Sequence, residues 1–178
     1  RNSKHIGNVP RTVVRCYDIL DAAIAGGVKD FTDGKYFGDR LLSYETAQSN
    51  KVDFLLNQVA CKSGSRILDV GCGNGRVLDA ARKLGADAVG ITISEKQVER
   101  CADAGLIVYL MNYRNIPHEW NGSFDGIIAN GSIEHFVQVQ DAIDGKQDKI
   151  YRDMFGIFHR LLKPGGYFVY LANKRFRL

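Results

Sequence analysis

Residues Arg66 to Gly75, reading Arg-Ile-Leu-Asp-Val-Gly-Cys-Gly-Asn-Gly, constrain the fold more than any other stretch. The run Ile67, Leu68, Val70 is too short for a helix and too apolar for a surface loop, so it reads as a buried strand. It feeds into Gly71, Gly73 and Gly75, where the backbone must turn sharply. A helix is expected from about Arg76 through Val77, Leu78, Ala80, Ala81 and Leu84, stopping at Gly85, which suits the left-handed position after a helix. Strand, glycine turn and helix make a nucleotide-binding unit. Missing side chains let a ligand reach the main chain, and the helix amino end favours negative charge.

Spacing narrows the ligand. A dinucleotide fingerprint wants glycine at places one, three and six; counted from Gly71, place three is Gly73 but place six is Arg76. Asp69 is expected at the strand's carboxyl end facing the ligand, which opposes a pyrophosphate and suits an ammonium. S-adenosylmethionine (SAM) offers an ammonium, a carboxylate and a sulfonium without a phosphate. NAD would also want an acid roughly 20 residues beyond the glycines, where the chain reads Gly90-Ile91-Thr92-Ile93-Ser94. Thr92, Ser94 and Gln97 offer neutral hydrogen bonds instead. The same residues also serve as strand terminus, helix cap and capping box, and the glycines with Asp69 also read as a structural turn and cap.

With 178 residues and 45% hydrophobic content, the chain can form one core with peripheral helices. The net charge is +4 without a dense Lys/Arg block, so no nucleic-acid partner is expected. Cys16, Cys61, Cys72 and Cys101 lack Cys-x-x-Cys spacing, so no metal site and no disulfide framework is expected, and reduced thiols suit a cytoplasmic protein. No apolar run approaches the roughly 20 residues of a membrane span, and the start lacks a signal-peptide core.

In chain order, 11–25 has helical spacing, and 31–42 is aromatic without a clean period, suited to covering a ligand. Ser43 can cap a helix from Tyr44 to about Cys61. Further strands are expected at Ala88–Ile91, Leu106–Leu110, Phe124–Ala129 and Tyr167–Ala172. Helices are expected from Ser94 to Gly105, and from about Ile150 to a stop at Lys163-Pro164-Gly165-Gly166. Such alternation predicts an α/β fold with a Rossmann-like, doubly wound parallel sheet, helices on both faces, and ligands at the strands' carboxyl ends. Residues 1–62 read as a helical, cofactor-covering extension and 63–178 as the cofactor-binding core.

Asp69 to Gly75, Gly90 to Gln97, Asn112-Tyr113-Arg114, Asn130 to His135 and His159 to Gly166 resemble successive motifs of class I SAM-dependent methyltransferases. Within that class the chain most resembles the cyclopropane-fatty-acid synthase and mycolic-acid methyltransferase branch, over about Tyr36 to Ala172. Thr92-Ile93-Ser94-x-x-Gln97, Glu134-His135-Phe136 and the helical Ala47-Gln48, Lys51, Asp53 set are the more restricted motifs.

The resemblance implies that Gly71, Cys72 and Gly73 lie against the methionine part of SAM, with Asp69 nearby. Thr92, Ile93, Ser94 and Gln97 would address the ribose and adenosine region. Asn112, Tyr113 and Arg114 would flank the adenine, and Asn130 and Gly131 would line the cleft under the sulfonium. The product would be S-adenosylhomocysteine and the acceptor a small or lipid-like molecule, with peripheral membrane contact for a lipid. In the lipid-modifying branch the Glu matching Glu134 helps hold a bicarbonate base. Here Gly34 falls where that branch carries a bicarbonate-contacting cysteine, and its histidine after strand five is replaced near Leu171-Ala172-Asn173. These departures point to simple methyl transfer rather than ring formation.

Glu134 and His135 are the candidates for proton handling, and Tyr36 for closing over the cofactor. A helix-start role for His135 and a core contact for Tyr36 are the alternatives. The loop Val137 to Gln147 is longer than in the lipid enzymes and reads as a lid or a surface excursion. The family sheet usually adds two further strands after the fifth, so the resemblance implies a sheet lacking the last two of seven. The second functional reading is a noncatalytic SAM-binding module working with a partner.

Overall fold

The computed structural model describes residues 13–16, 19 and 32–172. Of the helix expected over 11–25, residues 13–16 and 19 are helical, and the rest lies outside the described residues. Helix α1 runs Tyr44–Gln58, and the Ser43 hydroxyl caps it by accepting the Thr46 N–H. Strand β1 (Arg66–Val70) leads through the glycine turn to α2 (Arg76–Lys83), and Gly85 adopts φ +80° just beyond it. Then follow β2 (Asp87–Thr92), α3 (Glu95–Asp103) and β3 (Ile107–Leu110). Short 3-10 turns occupy Tyr113–Asn115 and His118–Trp120, ahead of β4 (Phe124–Asn130). A third 3-10 turn, Ile133–His135, precedes α4 (Val139–Ile143), α5 (Gln147–Leu161) and β5 (Leu162–Leu171).

All strand pairs are parallel, in the order β3-β2-β1-β4-β5. The connection therefore reverses between β1 and β4, and that switch point opens a crevice at the strands' carboxyl ends. Successive side chains of β1 and β4 face opposite sides of the sheet. Ile67 and Ile128 pack with Val52, Leu55 and Leu56 of α1, Val59 just beyond it, and Val77 and Ala81 of α2. Leu68, Val70 and Ile127 pack with Met154, Phe158 and Leu161 of α5. Helices thus cover both faces of a five-stranded sheet, and α1 shares the core of the strands that follow it.

Two local expectations are corrected. The Lys-Pro-Gly-Gly segment does not separate α5 from its strand. β5 starts at Leu162 opposite Phe124, then regains register at Tyr167 opposite Gly126, so Lys163–Gly166 bulge within the strand, with Gly165 at φ +79°. Lys163 Nζ donates to Asp125 Oδ2 at 2.8 Å and pins the start of the bulge. The loop after His135 also contains a helix, α4. Gln138 and Asp141 close a capping box at its start, leaving Val139 and Ile143 pointing outward at 80% and 72% exposure.

Candidate functional site

The glycine turn is built by main-chain geometry. Gly71 and Gly73 have φ of +77° and +55°, where an L side chain is strained. Gly71 and Cys72 both donate N–H bonds to the Ile91 carbonyl, which ties the turn to the end of β2. A Cβ on Gly71 would stand 2.5 Å from Ser132 Cβ, and the Ser132 hydroxyl donates to the Val70 carbonyl at 2.6 Å. The turns after β1 and β4 are therefore pressed together. Gly73, by contrast, has nothing within 4 Å of a would-be Cβ and leaves its backbone open.

A cavity of about 1490 Å³ opens at this point, bounded by the carboxyl ends of all five strands. Asp69, Gly71, Cys72 and Gly73 line it from β1, while Thr92, Ile93 and Gln97 line it from β2 and α3. Asn112, Tyr113 and Arg114 follow β3, and Asn130, Gly131, Glu134 and His135 follow β4. Ser94 and Tyr36 do not line it. Ser94 is fully buried and caps α3 by accepting the Gln97 N–H. The cover segment lines the cavity through Thr32, Asp33, Gly34 and Lys35 rather than through Tyr36.

Several lining groups are already engaged. Thr92 Oγ1 donates to Gln97 Oε1 at 2.6 Å, so the Gln97 carbonyl is occupied and its amide donors are left for the cavity. Gln97 does not turn back to complete a capping box. Asn112 Oδ1 accepts the Arg114 N–H at 3.0 Å, and Arg114 Nε donates to the Tyr113 hydroxyl at 3.1 Å. The Tyr113 ring is buried and stacks on Phe136, with centroids 4.3 Å apart and planes at 18°. Burial pushes its phenol up, against the opposing pull of Arg114. The Cys72 thiol is pushed well up by a hydrogen bond with Cys101, by burial and by the charge of Asp69. It stays protonated and packs against β2, where a Cβ on Gly90 would meet its Sγ at 2.7 Å.

Glu134 sits on the 3-10 turn anchored by buried Ile133. Its Oε2 is fully buried with no hydrogen-bond partner among the described residues. Its charge raises the Tyr151 phenol, after burial as the larger cause. His135 is exposed. Asp69 is 1% exposed.

Gln48 and Lys51 belong to the restricted helical motif, and the resemblance assigns neither a role. Both are buried in α1 and hold the cover segment. Gln48 Nε2 and the Tyr44 hydroxyl donate to the Thr32 carbonyl at 3.0 and 2.9 Å. Lys51 Nζ donates to the Thr32 hydroxyl, which also receives Asn130 Nδ2 at 3.4 Å. The Lys35 N–H donates to the Ala47 carbonyl at 2.7 Å. Thr32 thereby joins α1, the cover segment and the end of β4. Its only sequence signal was the polar spacing of Gln48 and Lys51 on an otherwise apolar helix face, whereas Asp53 of the same motif is exposed. Among the described residues no group of three His, Cys, Asp or Glu could hold a metal ion.

Known proteins resemble this arrangement. The cyclopropane-fatty-acyl-phospholipid synthase of Escherichia coli (strain K12) is 32% identical over 130 residues, which cover 70% of this chain and 30% of that protein. The chain thus spans under a third of that relative's length. The 24-methylenesterol C-methyltransferase 2 of Oryza sativa subsp. japonica is 36% identical, across 61% of this chain and 29% of its own. Among solved structures, the cyclopropane synthase MmaA2 from Mycobacterium tuberculosis superposes with a TM-score of 0.75 at 22% identity, covering 95% of this chain and 57% of that one, and it supports the fold. The family model described as mycolic acid cyclopropane synthetase matches residues 31–175, most of the length, and the chain belongs to that family.

Proposed function

We propose that this chain carries the SAM-binding core and part of the acceptor site of a methyltransferase acting on a small-molecule or lipid-like acceptor. The observation that carries the reading is the unmet, fully buried Glu134 Oε2 in the same cavity as the glycine turn and Asp69. A buried carboxylate oxygen without a donor costs roughly 1–3 kcal/mol or more, a cost a bound acceptor offsets by bringing an N–H or O–H. SAM, when bound, supplies an activated methyl on a sulfonium leaving group.

The residues fit that group. Gly73 leaves open main chain where a ligand must come close. Asp69 suits the ammonium, and the Gln97 amide donors face the region assigned to the ribose. Asn130 and Gly131 form the floor beside Glu134. The segment held at Thr32 walls the cavity on one side, which favours positioning of the reactants. Glu134 accepts the proton that an N–H or O–H acceptor releases. Gly34 faces Ala47 so closely that a Cβ would lie 2.5 Å from the Ala47 Cβ, which supports simple transfer over chemistry needing a cysteine there.

Residues 1–62 act in this reading as the covering wall and 63–178 as the cofactor core. Among the described residues no helix is long and apolar enough to cross a membrane. Cys16, Cys61, Cys72 and Cys101 are free thiols among the described residues, and a cytoplasmic site of action is part of the same proposal. The exposed Val139 and Ile143 beside the cavity support peripheral contact with a lipid surface for a lipid-like acceptor. Calorimetric titration with SAM, S-adenosylhomocysteine and NAD tests the cofactor. The two adenosyl ligands should bind and NAD should not, and Asp69→Ala should weaken binding about tenfold or more. A folded chain that binds NAD alone, or none of the three, refutes the reading.

A further inference from the structure

Arg76 stands where a dinucleotide fingerprint would have its third glycine. It is the first residue of α2 and lines the cavity. Its guanidinium is held by three uncharged acceptors on α1. Nη1 donates to Gln48 Oε1 at 2.7 Å, and Nη2 donates to Ser49 Oγ at 3.0 Å and to the Glu45 carbonyl at 3.2 Å. Gln48 is itself 2% exposed and fixed to the Thr32 carbonyl. Neutral oxygens orient the guanidinium without cancelling its charge. Three of the five N–H donors of an arginine are thus spent, leaving the Nε proton and one on Nη1. Asp69, of opposite charge, lines the same cavity across the glycine turn.

We propose that Arg76 is a specificity-determining residue that takes the carboxylate of the cofactor's amino-acid arm, so that Asp69 and Arg76 together read a zwitterion. The assignment rests on the SAM reading above. A pyrophosphate satisfies Arg76 but meets the buried carboxylate of Asp69, and a bare ammonium does the reverse. An α-amino acid satisfies both. Arg76 is then a charged contact placed by α1, and α1 contributes to cofactor choice through Gln48 without itself needing to touch the cofactor.

The test compares three ligands by calorimetry on the full chain: S-adenosylhomocysteine, S-adenosyl-3-thiopropylamine, which keeps the ammonium but lacks the carboxylate, and 5′-methylthioadenosine, which lacks the whole arm. Unmutated protein should prefer S-adenosylhomocysteine over the decarboxylated ligand by about 10–100-fold, the range of a charge-assisted hydrogen-bond pair. Arg76→Met should remove most of that preference while changing 5′-methylthioadenosine affinity less than about threefold, and Arg76→Lys should retain part of it. Equal affinity for the first two ligands in unmutated protein overturns the proposal without any variant. So does an equal loss on all three ligands in Arg76→Met, which would mean that Arg76 only fastens α2 to α1. Failure of every adenosyl ligand to bind the folded, unmutated chain overturns the SAM reading as well.

Discussion

At the scale of single residues, burial separates Glu134 from His135, adjacent members of one motif. Glu134 Oε2 is buried without a partner, whereas His135 is exposed at the rim. Glu134→Gln keeps the shape and removes the proton acceptor. It should lower methyl transfer to an N–H or O–H acceptor about 10²-fold or more, the typical contribution of a positioned base, with S-adenosylhomocysteine affinity unchanged. Transfer of a labelled methyl from SAM measures the first and calorimetry the second; unaltered transfer would remove Glu134 from proton handling. Gly34 makes a second residue-scale case. Because a Cβ there would sit 2.5 Å from Ala47 Cβ, Gly34→Cys should destabilise the chain by about 1–3 kcal/mol through overpacking, read as a lower thermal midpoint.

At the scale of elements, Ser94 shows how a motif residue can border the site and yet serve the scaffold. It is fully buried, caps α3 and lies outside the cavity lining. Ser94→Ala should cost about 1 kcal/mol of stability, the usual value of an N-cap, while adenosyl-ligand affinity changes less than about threefold. A larger affinity loss at constant fold would return Ser94 to the binding set. The elements legible in sequence were those whose cause is local. Ile67 to Gly75 announced strand and turn, Ser43 announced α1, and Gly85 announced the end of α2. The Lys163–Gly166 bulge was not legible, because it depends on pairing with β4 and on Lys163 reaching Asp125, 38 residues away. The wall around Thr32 was hidden for the same reason. Its partners Gln48 and Lys51 lie 16 and 19 residues on and Asn130 lies 98 on, so only the closed fold brings them together.

For the molecule as a whole, β4 is where the layers are joined, and two kinds of contact do it. Asp125 is polar and partly exposed: its Oδ2 accepts the Arg66 N–H of β1 at 2.8 Å and the Lys163 ammonium of β5 at 2.8 Å. The Arg66 amide first, and Lys163 second, hold its carboxyl below the ordinary value. A depressed folded value gives stability that is complete above the unfolded pKa near 3.9 and is lost as pH falls through the folded one. Asp125→Asn should therefore lower stability at pH 7 by about 1 kcal/mol, a figure reduced for solvent screening, and the gap should shrink below about pH 4. Denaturant melts at pH 7 and pH 3 measure it; a gap that widens in acid would reverse the sign. Gly126, one residue on, is apolar and closed: a Cβ there would lie 2.7 Å from Val59 Cβ and 3.0 Å from Ile67 Cδ1. The sheet can seat α1 this closely only because β4 has no side chain at that point. Gly156 is its opposite, exposed in the middle of α5 with nothing within 4 Å of a Cβ. The same change, glycine to alanine, should then move stability in opposite directions at the two sites. Gly126→Ala should cost about 1–3 kcal/mol by overpacking the joint between α1 and the sheet. Gly156→Ala should add about 0.5–1 kcal/mol by restricting the unfolded chain in a helix interior. Denaturant midpoints at equal slope settle both, and a stabilising Gly126→Ala would mean that α1 sits farther from β4 than the geometry places it.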